Sequence, residues 1–201
     1  MMDSITGRRA GLAGIAGAIL WVTSLLLEYG LDLVPPGDGS IEYVLVQLLA
    51  LAGLAGVAIG VLGIFKTRGV TSKFGIRSAK AISIGYGLII IGGVIALFVE
   101  GEENPIFIIF PIGALLIIFG ILFTGIAVWR TARWNGWQRY MPIVYAVYLL
   151  AAIEIPFILE IYEDGPGLVP ELGQAIGLLL IGLAVLTSDK KHRATPVPSE
   201  Q

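Results

Sequence analysis

The chain has 201 residues, 56% of them hydrophobic and only 14% charged, with a formal net charge of -2 and a mean hydropathy of +0.87. Soluble domains carry roughly 25% charged residues, so a water-soluble globule of this length could not hide so much apolar surface, and lipid must cover it. The sequence contains no Cys, which excludes disulfides, thiolate metal sites and cysteine nucleophiles and leaves the redox compartment unread.

Six apolar stretches follow one another, at residues 10–31, 43–65, 81–99, 105–129, 140–161 and 168–186. Each is close to the ~20 residues that a helix rising ~1.5 Å per residue needs to cross ~30 Å of hydrocarbon. Runs such as Leu115, Leu116, Ile117, Ile118 and Phe119 lack the alternation of a membrane barrel strand. The expected fold is therefore all-α: a polytopic integral membrane protein, a six-transmembrane-helix bundle over residues 1–188, followed by a disordered polar tail at 189–201. The first stretch could be a signal peptide led by Arg8 and Arg9. Its apolar core is long, however, and Glu28, Tyr29, Gly30, Leu31 and Asp32 offer no small-x-small cleavage site, which favours an uncleaved span.

Charge sign tests the count independently of hydropathy. All 13 Lys and Arg residues fall at one side of the alternation: Arg8 and Arg9 before the first stretch; Lys66, Arg68, Lys73, Arg77 and Lys80 between the second and third; Arg130, Arg133 and Arg139 between the fourth and fifth; Lys190, Lys191 and Arg193 after the sixth. Of the 15 acids, all but Asp3, Asp189 and Glu200 fall at the other side, and Asp38, Glu42, Glu100, Glu102, Glu103, Glu163 and Asp164 mark its connections. By the positive-inside rule both termini are expected in the cytoplasm. Losing any one span would move every later loop to the wrong side.

The 27 glycines are about twice the usual ~7%. Ala10 and Gly14, Ala13 and Gly17, Ala52 and Gly56, Gly56 and Gly60, and Gly173 and Gly177 each stand four apart, the spacing that lets helix backbones approach in lipid. Packing within one bundle is the favoured reading, with a dimer seam as the alternative. The chain also reads as three tandem hairpins, a regularity that ordinary span length explains. No inverted repeat of three plus three helices is evident.

Chemistry would sit where polar groups enter the apolar region. Counted at ~1.5 Å per residue from Tyr140, Glu154 lies about 21 Å along the fifth span, roughly 9 Å short of the far boundary. Pro156 cannot donate to the carbonyl of Ala152, and Pro111 cannot donate to that of Phe107, so both are expected to kink their helices at a similar depth. Thr23, Ser24, Gln47 and Gln174 fall near the same plane, where with Glu154 they would line an outward-facing polar vestibule. No Lys, Arg or His stands at that depth, so Glu154 would be protonated or would meet water and cations from outside. The structural alternative is a carboxyl hydrogen-bonded to Gln174, Gln47 or a freed carbonyl. Glu28, Asp32 and Glu160 read as a solvated rim.

At the basic face, Lys66, Arg68, Lys73, Arg77, Lys80, Arg130, Arg133 and Arg139 are candidate anionic-lipid contacts, each worth ~1 kcal/mol against a charged leaflet. Trp129, Trp134 and Trp137 beside them read as an interfacial anchoring belt rather than as a stacking platform for nucleic acid, and no nucleic-acid partner is expected.

The only histidine, His192, lies in the tail, so triads, histidine-ligated zinc and bis-histidine haem lack their residues. Phosphate-binding glycine loops in a strand-to-helix setting are absent too. No enzyme activity, metal or cofactor is expected. Two classes remain. The favoured one is a non-catalytic scaffold, accessory subunit or lipid-interacting protein, with membrane lipids, a second copy or another membrane protein as partners. The other is a small cation- or proton-coupled transporter or channel built around Glu154. The glycine-rich spans and the junction of Trp137, Arg139 and Pro142 resemble small bacterial membrane proteins in a generic way, so a prokaryotic cell membrane is the expected location.

Overall fold

The structure is a computed structural model of the whole chain, and it describes residues 2–30, 40–66, 70, 72–98, 108–131, 134, 136–159, 161 and 167–191. These residues are helical or connecting, with no strand among them. Helix α1 spans Met2–Leu25 and runs into a π-helical stretch, Leu26–Gly30. Then follow α2 (Ile41–Lys66), α3 (Lys73–Ala96) and α4 (Ile109–Thr131). Helix α5 (Met141–Leu149) passes through a second π-helical stretch, Leu150–Glu154, into a last α-turn, Ile155–Ile158. The final helix, α6, spans Leu168–Lys191.

Among the described residues, five segments are long and apolar enough to cross a membrane: Gly7–Tyr29, Ile41–Phe65, Lys73–Ala96, Ile109–Thr131 and Leu168–Ser188. The apolar helix in the fifth position, Met141–Glu154, is shorter. Large apolar side chains cover the outside, among them Ile41 at 76% exposure, Phe98 at 83% and Val169 at 80%, a surface suited to lipid rather than water.

Several helices begin or end away from the apolar boundaries, α1 among them, which starts at Met2, eight residues before its apolar run. Helix α3 starts eight residues before the apolar run, because Ser72 caps it: its Oγ accepts from the Gly75 N–H at 3.1 Å. Lys73, Arg77 and Lys80 thereby belong to the first turns of a helix, not to a loop. Helix α4 starts at Ile109, which places Pro111 in its first turn, where a missing N–H is no loss and no kink is required. Helix α6 runs on through Lys191, three residues into the segment read as tail.

Sequential helices are neighbours, and α6 closes the ring by packing on α1. The tightest contacts, α1 with α2, are made by glycines: a Cβ on Gly17 would lie 2.5 Å from the Gly53 carbonyl oxygen and 2.5 Å from the Val57 nitrogen. One on Gly56 would lie 2.8 Å from the Gly17 Cα. Gly11 brings α1 against α6, where a Cβ would stand 3.0 Å from the Leu186 nitrogen, and Gly85 brings α3 against α4, 2.7 Å from the Gly113 carbonyl oxygen. Helix α5 meets α4 in the same way, a Cβ on Gly125 lying 2.9 Å from the Ile143 nitrogen, but meets α6 differently. Its rings fill notches left by α6 glycines, Tyr145 at Gly177 and Tyr148 at Gly173, so this glycine pair accommodates side chains instead of a second backbone. The three hairpins are thus unequal, the third being the loosest.

The core joins all six helices through buried residues such as Ala18, Val57, Ile82, Ile121, Tyr145 and Ile181.

Candidate functional site

The structure gives the expected vestibule residues separate environments. Glu154 closes the second π-helical stretch and is part-buried. There the Ile155 N–H reaches the Leu150 carbonyl, five residues back, directly before Pro156, so the backbone answers the proline with a wider turn. Ala152 keeps an interaction partner. Gln47 and Gln174 are part-buried on α2 and α6, and among the described residues no hydrogen bond joins either to Glu154. The Thr23 hydroxyl donates to the Ile19 carbonyl at 2.9 Å, and the Ser24 hydroxyl donates to the Trp21 carbonyl at 2.8 Å. Both hydroxyls are spent on their own helix, a common use of Ser and Thr in apolar surroundings.

A different pair is brought together. Glu28, within the π-helical end of α1, and Glu171, in the first turn of α6, stand near enough for their charges to interact. Tyr29 senses both. One carboxyl oxygen of Glu171, Oε2, is shut off from solvent and has no hydrogen-bond partner. Beside it the Tyr148 hydroxyl donates to the Pro170 carbonyl at 2.7 Å. Tyr145 and Tyr86, 2% and 3% exposed, lie buried in the core of the bundle. No three Asp, Glu, His or Cys side chains converge among the described residues.

Sequence reading passed over Glu171 and assigned Glu28 to a wet rim. The available signal was the position of Glu171 inside the 168–186 stretch, three residues before Gln174 and therefore on the same helix face. An acid in the first turn of a helix is also favoured by the helix dipole, so a structural role accompanies any chemical one.

At the basic end one tryptophan is buried. Trp134 is 1% exposed and joins the core cluster with Val70, Ala127 and Val128. This corrects the belt reading for Trp134, whose indole is buried in the core and not at the surface. Trp129 and Trp137, 47% and 48% exposed, stay at the surface. Gly136, at φ +66°, opens the short 3-10 turn Gly136–Arg139, where the Gln138 amide Nε2 donates to the Thr187 hydroxyl of α6 at 2.7 Å. Of the bases, Lys73, Arg77, Lys80 and Arg130 are exposed. Arg139 is part-buried, its guanidinium 5.0 Å over the Tyr140 ring. Arg68 and Arg133 lie outside the described residues, as does the side chain of Lys66.

No protein-family model, curated protein or solved structure matches this chain.

Proposed function

We propose that this is a non-catalytic membrane scaffold or accessory subunit that crosses the bilayer six times with both termini in the cytoplasm. The observation that carries this reading is the backbone-to-backbone packing of α1, α2 and α6 at Gly11, Gly17 and Gly56, together with the burial of Trp134 in the core. Such a bundle favours a fixed surface for lipid or a partner over an open path. The fifth span rests on charge placement as well as length. Met141–Ile158, about 25 Å long at ~1.5 Å per residue, stands between Arg139 and the acids Glu163 and Asp164.

Orientation is testable because the native chain has no Cys. With Asp38→Cys and Lys73→Cys made separately, a membrane-impermeant maleimide added to intact cells should label position 38 and spare position 73. The reverse pattern would invert the topology.

The second reading, a cation- or proton-coupled transporter, is favoured by the Glu28 and Glu171 pair with its unpartnered Oε2. Ionisable groups within apolar spans are costly and commonly functional. Proteoliposomes separate the two. Proton and cation flux should equal that of protein-free liposomes and should not change with Glu171→Gln or Glu154→Gln. Flux abolished by Glu171→Gln would replace the scaffold with a transporter centred on that carboxyl.

A further inference from the structure

The residues of α3 spaced by four and three in turn, Lys73, Arg77, Lys80, Ile84, Gly87 and Ile91, lie in one narrow stripe along the helix. The stripe is opposite the packed face, whose buried members include Ser78, Ile82 and Tyr86. The three bases are exposed, and none has an ion-pair partner among the described residues. Ile84 and Ile91 are 56% and 57% exposed, and between them a Cβ on Gly87 would meet nothing within 4 Å. The stripe is therefore three cations leading into an apolar track with a notch.

We propose that this stripe is a binding site for a phospholipid of net negative charge, its phosphate held by Lys73, Arg77 and Lys80 and one acyl chain lying along Ile84, Gly87 and Ile91. The lipid rests on the reading that α3 crosses a bilayer with its basic end at a headgroup layer. Three features of the stripe select this occupant. Cations in the first turns of a helix run against its dipole, so they gain from an anion brought to that end. The ~16 Å from Lys80 to Ile91 matches one leaflet, half of a ~30 Å hydrocarbon core. A second copy is disfavoured, because copies sharing one orientation in a membrane would meet about an axis along its normal and set these bases against themselves.

The test is reconstitution into nanodiscs of phosphatidylcholine and phosphatidylglycerol in known ratio, with the lipids retained after detergent extraction counted by native mass spectrometry. Phosphatidylglycerol should be enriched over phosphatidylcholine by on the order of tenfold or more. That enrichment should fall several-fold in the combined variant Lys73→Gln, Arg77→Gln, Lys80→Gln, and retention should fall several-fold for Gly87→Leu, placed where an added Cβ meets nothing within 4 Å. Absence of enrichment in the native protein, or enrichment undiminished in the triple variant, overturns the proposal. So does disulfide cross-linking of two copies carrying Gly87→Cys. Alkaline extraction of membranes keeps the underlying reading separate: a chain released at high pH fails the spanning reading, whereas an embedded chain without lipid preference fails this proposal alone.

Discussion

Gly17→Ala should destabilise the protein by about 3 kcal/mol or more, whereas Gly87→Ala should be neutral or stabilise it by up to ~1 kcal/mol. Both glycines are in helix interiors, so propensity alone would reward both changes. What separates them is the neighbour. At Gly17 the new methyl would stand 2.5 Å from the Gly53 carbonyl oxygen and the Val57 nitrogen. These are backbone atoms that cannot rotate away, and relief would require α1 and α2 to separate along their whole contact. At Gly87 the methyl enters open space. Unfolding by sodium dodecyl sulfate titration in mixed micelles, followed by circular dichroism, would measure both. Equal effects at the two positions would mean that the α1–α2 approach is not as close as described.

Trp134→Ala should cost about 3–5 kcal/mol, the range for removing a large buried aromatic, while Trp137→Ala should cost less than ~1 kcal/mol. The two tryptophans stand three residues apart between the same bases, yet Trp134 is 1% exposed and Trp137 48%. Trp134→Phe is the informative intermediate. The indole Nε1 is buried without a partner, so loss of that N–H forfeits no hydrogen bond and the variant should retain most of the stability. Thermal unfolding in detergent would rank the three. A Trp134→Ala protein as stable as Trp137→Ala would return Trp134 to the interfacial belt.

The helices were legible where apolar length and charge sign agreed, and less so at their ends. Hydropathy stops at Lys80, but Lys and Arg are good helix formers, and Ser72 carries α3 back to its cap. Reading Ser72 as a start signal would have recovered those turns. The glycine spacings in α1 and α2 pointed to close approach, but four-residue spacing could not tell Gly17, which meets a backbone, from Gly173, which makes room for a tyrosine. The polar residues were harder still. Thr23 and Ser24 share a depth with Glu154, but depth says nothing of whether a hydroxyl is already bonded to its own helix. Glu171 reads in the sequence as one acid among those of one side of the alternation, and charge sign carries no information on which way a side chain faces. Trp134 could not be separated from Trp137 without the fold of the segment that carries them.

Both π-helical stretches, Leu26–Gly30 and Leu150–Glu154, carry a carboxylate, Glu28 and Glu154. A turn closed five residues back instead of four takes in one extra residue, which shifts the angular phase of everything beyond it by roughly 100°. The stretch after Leu150 therefore presents to its surroundings a different side from the one an uninterrupted helix would show. Migration of that swelling by one position along the chain would swing Glu154 around the rod without breaking the rod in two.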